Sequence, residues 1–240
     1  MKNFALLDLI LPKACAVCGR TLLMNERYLC PECLADLPRT YFSKMRRNQM
    51  ADRFNDLVQR TIDSGGAGYS YATALFFYRS SSGYRDITRS LKYHSNLGIG
   101  RYFSQMLGEE MAGSELFSDV DTIIPVPLHW ARKWSRGYNQ AEVIADGLAR
   151  RLEAEVRTDI LWRRKRTHSQ AKLTLEEKVT NVSGAFQMKN DADLSKCRHI
   201  LLVDDVFTTG ATLCACYLAM SKELPISCRI SIATLACVGR

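Results

Sequence analysis

Apolar positions along this 240-residue chain follow two periods. Short apolar-rich runs end near 78, 127, 161, 203 and 236, and the one at Ile200–Val203 is unbroken. Between them lie longer stretches whose apolar residues recur every three or four positions. The runs read as buried strands over 69–78, 121–127, 155–161, 200–203 and 228–236. The stretches read as helices over 84–93 (Ile87, Leu91), 97–111 (Tyr102, Phe103, Met106, Leu107), 139–152 (Ala141, Ile144, Ala145, Leu148) and 213–224. Strands alternating with helices predict an α/β fold with a doubly wound, mainly parallel sheet. Pro125 and Pro127 stop the second strand and force a sharp exit. Residues 80–83 read as a turn, 128–138 as a basic loop, and 162–175 as a polar basic loop before a short helix at 174–180. The weakest signal lies at 40–68. An imperfect helical spacing over 45–62 puts Met50, Phe54, Leu57 and either Val58 or Thr61 on one side. Ser64-Gly65-Gly66-Ala67-Gly68 then breaks the chain. The expected organisation is a four-cysteine segment at 1–40, a linker with helical and strand elements at 41–113, and a core domain at 114–240.

Composition adds little to this frame: 47% hydrophobic and 24% charged residues are globular proportions. The apolar stretch at 4–11 is too short to span a membrane, is interrupted by Asp8, and lacks a small-residue cleavage pattern. No membrane span is expected, and the reading is a cytoplasmic protein. The charge says more. The chain carries +8, and between His129 and Lys172 eleven Lys or Arg face five Asp or Glu, a local +6. Such a field suits a polyphosphate, a nucleic acid, or both. Ordinary solvated helix charge accounts for Arg150 and Arg151, and less well for Arg163-Arg164-Lys165-Arg166. Of nine cysteines, Cys15, Cys18, Cys30 and Cys33 form C-x2-C-x11-C-x2-C. Two such knuckles bring four thiolates to one tetrahedral zinc, and four protein ligands leave no open position, so the zinc is structural. Cys197, Cys214, Cys216, Cys228 and Cys237 sit in or beside apolar segments and read as small core residues. An odd total argues against a disulfide framework.

The chemistry concentrates in 200–213, ILLVDDVFTTGATL. A buried strand, Ile200 to Val203, is expected to end at two acids, Asp204 and Asp205, in a loop. Thr208, Thr209, Gly210, Ala211 and Thr212 then lead into a helix. A loop at the carboxyl end of a parallel strand is where open α/β sheets bind ligands. Amides at a helix start attract anions, threonine hydroxyls add donors, and Gly210 lets the backbone approach closely. Two acids beside an anion site need a partner of their own. Sugar hydroxyls donate to carboxylates, so a ribose 5-phosphate satisfies both halves: phosphate on 208–212, the 2- and 3-hydroxyls on Asp204 and Asp205. A bland alternative is a buried strand with a solvated acidic turn and a threonine-rich helix cap. The strand, loop and helix at 121–152 give a second basic site, with His129, Arg132, Lys133 and Arg136, suited to pyrophosphate. The basic stretch at 162–175, including Arg166, suits a lid over a departing pyrophosphate, or equally a solvated or nucleic-acid-contacting tract.

Four apolar residues, two acids and Thr-Thr-Gly-x-Thr resemble the phosphoribosyl-pyrophosphate (PRPP) motif of type I phosphoribosyltransferases. The chain as a whole resembles the ComF/GntX group. The resemblance rests on the four-cysteine knuckle, Leu91-Lys92-Tyr93, Pro125-Val126-Pro127-Leu128, and Arg136-Gly137-Tyr138-Asn139-Gln140-Ala141-Glu142. Arg166-Thr167, Gln170, Leu173, Asn181-Val182, Phe186 and the PRPP motif complete it in order over roughly 5–237. Residues 45–68 depart from much of the group. The resemblance implies a type I phosphoribosyltransferase-like core behind a zinc-bearing amino-terminal segment, with a base-binding hood outside the core. It implies PRPP as ligand at Asp204, Asp205 and 208–212, Mg²⁺ bound with PRPP, and catalytic roles for Asp204 and Asp205. It also implies a link to natural transformation, with single-stranded DNA and competence-machinery proteins as partners.

Three readings stand side by side. One is a phosphoribosyltransferase acting on a nitrogenous acceptor. A second is a non-catalytic protein binding PRPP and single-stranded nucleic acid, with Trp130, Trp134, Tyr138 and Trp162 as stacking surfaces or as core residues. A third is a structural zinc adaptor that binds no PRPP.

Overall fold

The computed structural model describes residues 13–61, 68–79, 82–93, 96–164, 184–221, 223–225 and 227–239. A short helix α1 (Pro31–Ala35) closes the cysteine knuckle. Then follow α2 (Gln49–Thr61), β1 (Ala72–Tyr78), α3 (Arg85–Tyr93), α4 (Leu97–Ala112) and β2 (Thr122–Pro125). The chain continues through α5 (Trp130–Arg136), α6 (Gln140–Leu152), β3 (Glu155–Val156), β4 (Leu161–Arg163) and β5 (Phe186–Met188). It ends with β6 (His199–Phe207), α7 (Ala211–Met220) and β7 (Arg229–Val238).

Five strands form one parallel sheet in the order β1-β7-β6-β2-β3. The apolar-rich runs are explained by helices on both faces. One face buries Ile200, Leu202 and Ile232 under α2 and α7 with Met50, Phe54, Leu213 and Tyr217. The other buries Leu201, Val203 and Ala233 under α3, α4 and α6 with Ile87, Leu91, Phe103, Leu107, Ile144 and Leu148. Burying each such large apolar side chain contributes about 1.5–3 kcal/mol. The doubly wound α/β expectation holds, and the small cysteine segment sits at the amino end. The edge strand β1 comes from the stretch 41–113; β2, β3, β6 and β7 come from 114–240.

The weakly periodic stretch at 45–62 does form a helix. Met50, Phe54, Leu57 and Val58 are its buried residues, and Thr61 faces solvent. Three expectations are corrected. The strand expected at 200–203 runs to Phe207, because β6 keeps its ladder with β7 up to the pair Phe207 and Cys237. Both acids therefore lie in the strand and not in the loop after it. The single strand expected at 155–161 divides in two. Glu155–Val156 closes the main sheet. Leu161–Arg163 pairs antiparallel with Phe186–Met188 in a separate ribbon, after a turn where Arg157 clasps Asp159 at 2.6 Å. The loop expected at 128–138 contains the helix α5. The His129 side chain caps its start, and Gly137, at φ +77°, ends it. Its composition hid the period, since none of its residues is buried. Residues 64–67 of the break expected at 64–68, and the helix expected at 174–180, lie outside the described residues.

At the amino end of the sheet, buried His199 ties β6 to β7. Its Nδ1 lies 2.7 Å from Asp119 Oδ1 and its Nε2 lies 2.8 Å from Ser231 Oγ. Among the described residues, no helix is long and apolar enough to cross a membrane.

Candidate functional site

Successive residues of a strand point to opposite faces, so Asp204 and Asp205 enter different surroundings. Asp205 faces the side covered by α3, where its Oδ2 lies 2.8 Å from Lys92 Nζ. The helical spacing that turns Ile87 and Leu91 inward also brings Lys92, from the last turn of α3, to the sheet. Burial alone would lower the Lys92 ammonium's pKa, but Asp205 overrides it and raises it, so the lysine stays charged. Asp204 faces the other side and lines a pocket with Val206, Phe207, 208–212 and Leu213. Its carboxylate accepts a 2.8 Å hydrogen bond from the Asp205 amide. Burial pushes the Asp204 carboxyl up to about 7, and the charge of Asp205 adds to the rise, while that amide, Lys92 and Arg163 oppose it. The two adjacent acids thus have separate tasks: one is held by a lysine, the other meets the pocket.

The pocket wall is the turn from β6 into α7. Gly210 sits at φ +83° as the N-cap of α7. A Cβ there would fall 2.9 Å from the Phe207 ring, so the turn needs a glycine both for its backbone angle and for space. The amino end of α7, with Thr208, Thr209 and Thr212 around it, lines this pocket, and its Ala211 amide donates to Thr209 Oγ1 at 3.4 Å; a helix start among hydroxyls suits an anion. Arg53, on α2, donates to the Thr208 carbonyl at 2.5 Å and to the Val238 carbonyl at 3.2 Å. Its guanidinium also lies over the Phe207 ring, 5.3 Å from the centroid.

The basic residues expected at a pyrophosphate site are dispersed. His129 is buried, and its Nδ1 accepts from the Ala131 amide at 3.3 Å to start α5. Arg136 donates to Gln140 at 3.0 Å and adds positive charge beside Lys92. Arg132 lies within electrostatic reach of Arg163, and Arg163 in turn acts on Asp204. Burial lowers the Arg163 pKa, with Arg132 adding to the effect; its guanidinium stacks 5.1 Å from the centre of the Phe186 ring. Arg166 lies outside the described residues. Trp130 and Trp134, one turn apart on α5, are 74% and 89% exposed.

Residues beyond the motif complete the site. Lys92 belongs to the Leu91-Lys92-Tyr93 segment of the resemblance, but nothing in the sequence assigns it a partner. Arg163 appears there only as one of four consecutive cations. No spacing singles out Arg53, since its partners are main-chain carbonyls 155 and 185 residues away.

At the amino end, the sulfurs of Cys15, Cys18, Cys30 and Cys33 all lie within 4.8 Å of one another. The Cys18 to Cys30 separation is 3.8 Å. Tetrahedral zinc with bonds of about 2.3 Å requires sulfur–sulfur edges of about 3.8 Å, so these four residues fit the metal. Amides of Cys30 and Cys33 point at Cys15 Sγ and Cys30 Sγ at 3.5 Å, the outer-shell contacts thiolates use. The knuckle is fastened to the core: Tyr84, just before α3, donates to the Cys33 carbonyl at 2.8 Å.

Comparison with known proteins adds two family matches. The model of the Double zinc ribbon domain matches residues 6–43, and that of the Phosphoribosyl transferase domain matches 138–239. A relative from Haemophilus influenzae, Competence protein F, is 40% identical over 93 residues, 39% of this chain and 41% of that one. DNA utilization protein YhgH of Escherichia coli O157:H7 is 27% identical over 202 residues, covering 83% of this chain and 80% of its own. Competence protein ComFC of Streptococcus pneumoniae is 29% identical over 148 residues, 62% of this chain and 60% of its own. The first and third matches thus span less than two thirds of those relatives.

Proposed function

The chain belongs to the ComF/GntX group and matches a zinc ribbon and a phosphoribosyltransferase domain, and from that premise we propose that it binds PRPP at the carboxyl end of β6 and transfers the phosphoribosyl group to a nitrogenous acceptor. The observation that carries this reading is Asp204, half-buried, facing the same pocket as 208–212. The 5-phosphate would rest on the amides and hydroxyls of 208–212 at the start of α7. The ribose 2- and 3-hydroxyls would donate to Asp204, whose carboxyl is raised to about 7 by burial and by the charge of Asp205. Asp205, held by Lys92, would fix the strand end and set the local charge without touching the sugar. Mg²⁺ bound with the substrate would neutralise pyrophosphate charge, with Asp204 as an oxygen ligand or a partner to a metal-bound water.

In the transfer, the C1–oxygen bond breaks and its electron pair leaves with pyrophosphate. The acceptor nitrogen forms the new bond to C1 and then loses its proton. Arg163, whose charge acts on Asp204, and Arg132, within electrostatic reach of Arg163, would stabilise charge growing on the leaving oxygens. The four cysteines would hold a structural zinc that braces α3 and so Lys92. The protein would act in the cytoplasm, with the zinc segment as the hood beside a core to which 41–113 contributes β1 and the helices α2, α3 and α4. A screen of bases, amines and oligonucleotides for acceptor-dependent pyrophosphate release tests the enzyme reading. Release with one acceptor, absent in Asp204→Asn, is the expected result.

A second reading is favoured by one observation, the exposed Trp130 and Trp134 on a helix carrying Arg132, Lys133 and Arg136. Bases stack on such side chains while cations contact phosphates. In this reading the protein binds PRPP and single-stranded DNA without catalysis, alongside competence-machinery proteins. Binding of an oligonucleotide that weakens steeply with salt and fails in Trp130→Ala/Trp134→Ala would support it, if no acceptor releases pyrophosphate.

A further inference from the structure

The stretch 45–61 has no part in the motifs and departs from much of the family. The structure nonetheless packs its helix, α2, against the turn that follows β6. Arg53 makes three contacts there. It donates to the carbonyl of Thr208, the first threonine of the turn, and to the carbonyl of Val238 at the end of the neighbouring strand. It also covers the ring of Phe207. Leu57, one turn further along α2, approaches the Cβ position of Gly210 at 3.7 Å. Thus α2 holds the turn that also lines the pocket.

A trans peptide unit is planar, with its carbonyl and its N–H pointing in opposite directions. Fixing the Thr208 carbonyl toward Arg53 therefore aims the Thr209 N–H away from the guanidinium, within the turn 208–212 that lines the pocket. Two electrostatic consequences follow. The negative end of that peptide dipole is turned away from an incoming phosphate, and a donor is turned toward it. Without the guanidinium, the Thr208–Thr209 unit is free to rotate, and a flipped carbonyl would face the anion.

We infer that Arg53 is a positioning residue for the phosphate-binding turn: through the Thr208 carbonyl it holds the Thr209 amide toward the pocket, and the helix 49–61 serves to place it. The inference rests on the reading of 208–212 as the 5-phosphate site. Arg53 contacts no ligand; it acts on one main-chain peptide. It should therefore affect ligands that carry a 5-phosphate and spare those that do not.

The test is titration calorimetry of the full chain, zinc-loaded, with ribose 5-phosphate and, separately, with pyrophosphate plus Mg²⁺. For Arg53→Met, which keeps length and loses the donors, ribose 5-phosphate binding should weaken at least tenfold and pyrophosphate binding should change less than twofold. Equal losses for both ligands, or no loss for ribose 5-phosphate, would overturn the inference while leaving the site reading intact. Absence of any ribose 5-phosphate binding by the unaltered protein would overturn the site reading, and the inference with it. If Arg53→Met does not fold, Arg53→Lys takes its place, since lysine keeps the charge but cannot reach both carbonyls in one plane. A threefold or larger loss confined to ribose 5-phosphate supports the inference, and an unchanged affinity overturns it.

Discussion

Replacing Asp204 by Asn should stabilise the protein without ligand while abolishing the proposed PRPP binding. Burial and the neighbouring charge of Asp205 raise the Asp204 carboxyl to about 7. An unfolded chain ionises the same group near 4. A folded-state value above the unfolded one means stability that is fully present below about pH 4 and lost as pH rises through about 7. Three units correspond to about 4 kcal/mol as a ceiling. Asp204 is only partly buried, so solvent screening reduces the figure to about 2 kcal/mol. Asn keeps the oxygen that accepts from the Asp205 amide and has no charge to desolvate. At pH 8 the variant should therefore melt higher, by about 4–8 °C for a domain of this size. At pH 5 the gain should shrink to less than half. Thermal and urea denaturation from pH 5 to 8.5 would measure it. A variant that is less stable at pH 8, or whose gain does not change with pH, would refute the claim that a strained carboxylate is held here for a ligand.

Three further outcomes follow from the same geometry. Lys92→Met leaves Asp205 charged and uncompensated and should cost about 3–5 kcal/mol in urea denaturation at pH 8; adding Asp205→Asn should recover most of that loss. Burial lowers the His199 pKa despite Asp119, so its stabilising contribution is present above about pH 6.5 and lost as pH falls through the lower folded value; His199→Gln should flatten that slope in a pH series of melts. Chelating the zinc should release one metal per chain and lower the melting temperature, and it should also weaken PRPP binding, because Tyr84 links Cys33 to the start of the helix that ends at Lys92.

Which parts of this could be read from the chain depends on how local their causes are. The buried strands were legible because two covered faces leave no room for polar alternation; Ile200 to Val203 is apolar throughout and fully buried. The cysteine cluster was legible because ligand spacing is a local constraint of tetrahedral zinc. The end of β6 was not, since Asp204 and Asp205 look like a loop until the ladder to β7 is known. The helix α5 was hidden because it buries no face, and only the cap from His129 and the turn at Gly137 mark it. At the site, the turn at 208–212 carries its own signature in the sequence. Lys92 and Arg53 do not, because each acts on a partner brought near only by the sheet: Lys92 on a carboxylate 113 positions away, and Arg53 on main-chain carbonyls that any residue could supply.

Titration of zinc-loaded protein with PRPP and Mg²⁺ at pH 7, in two buffers of different ionisation heat, tests the central claim most directly. The account predicts saturable binding at one site, with proton release because a carboxyl poised near neutrality becomes ionised on meeting its sugar or metal partner, and loss of both in Asp204→Asn. Absence of binding heat, or binding that Asp204→Asn leaves unchanged, would contradict it.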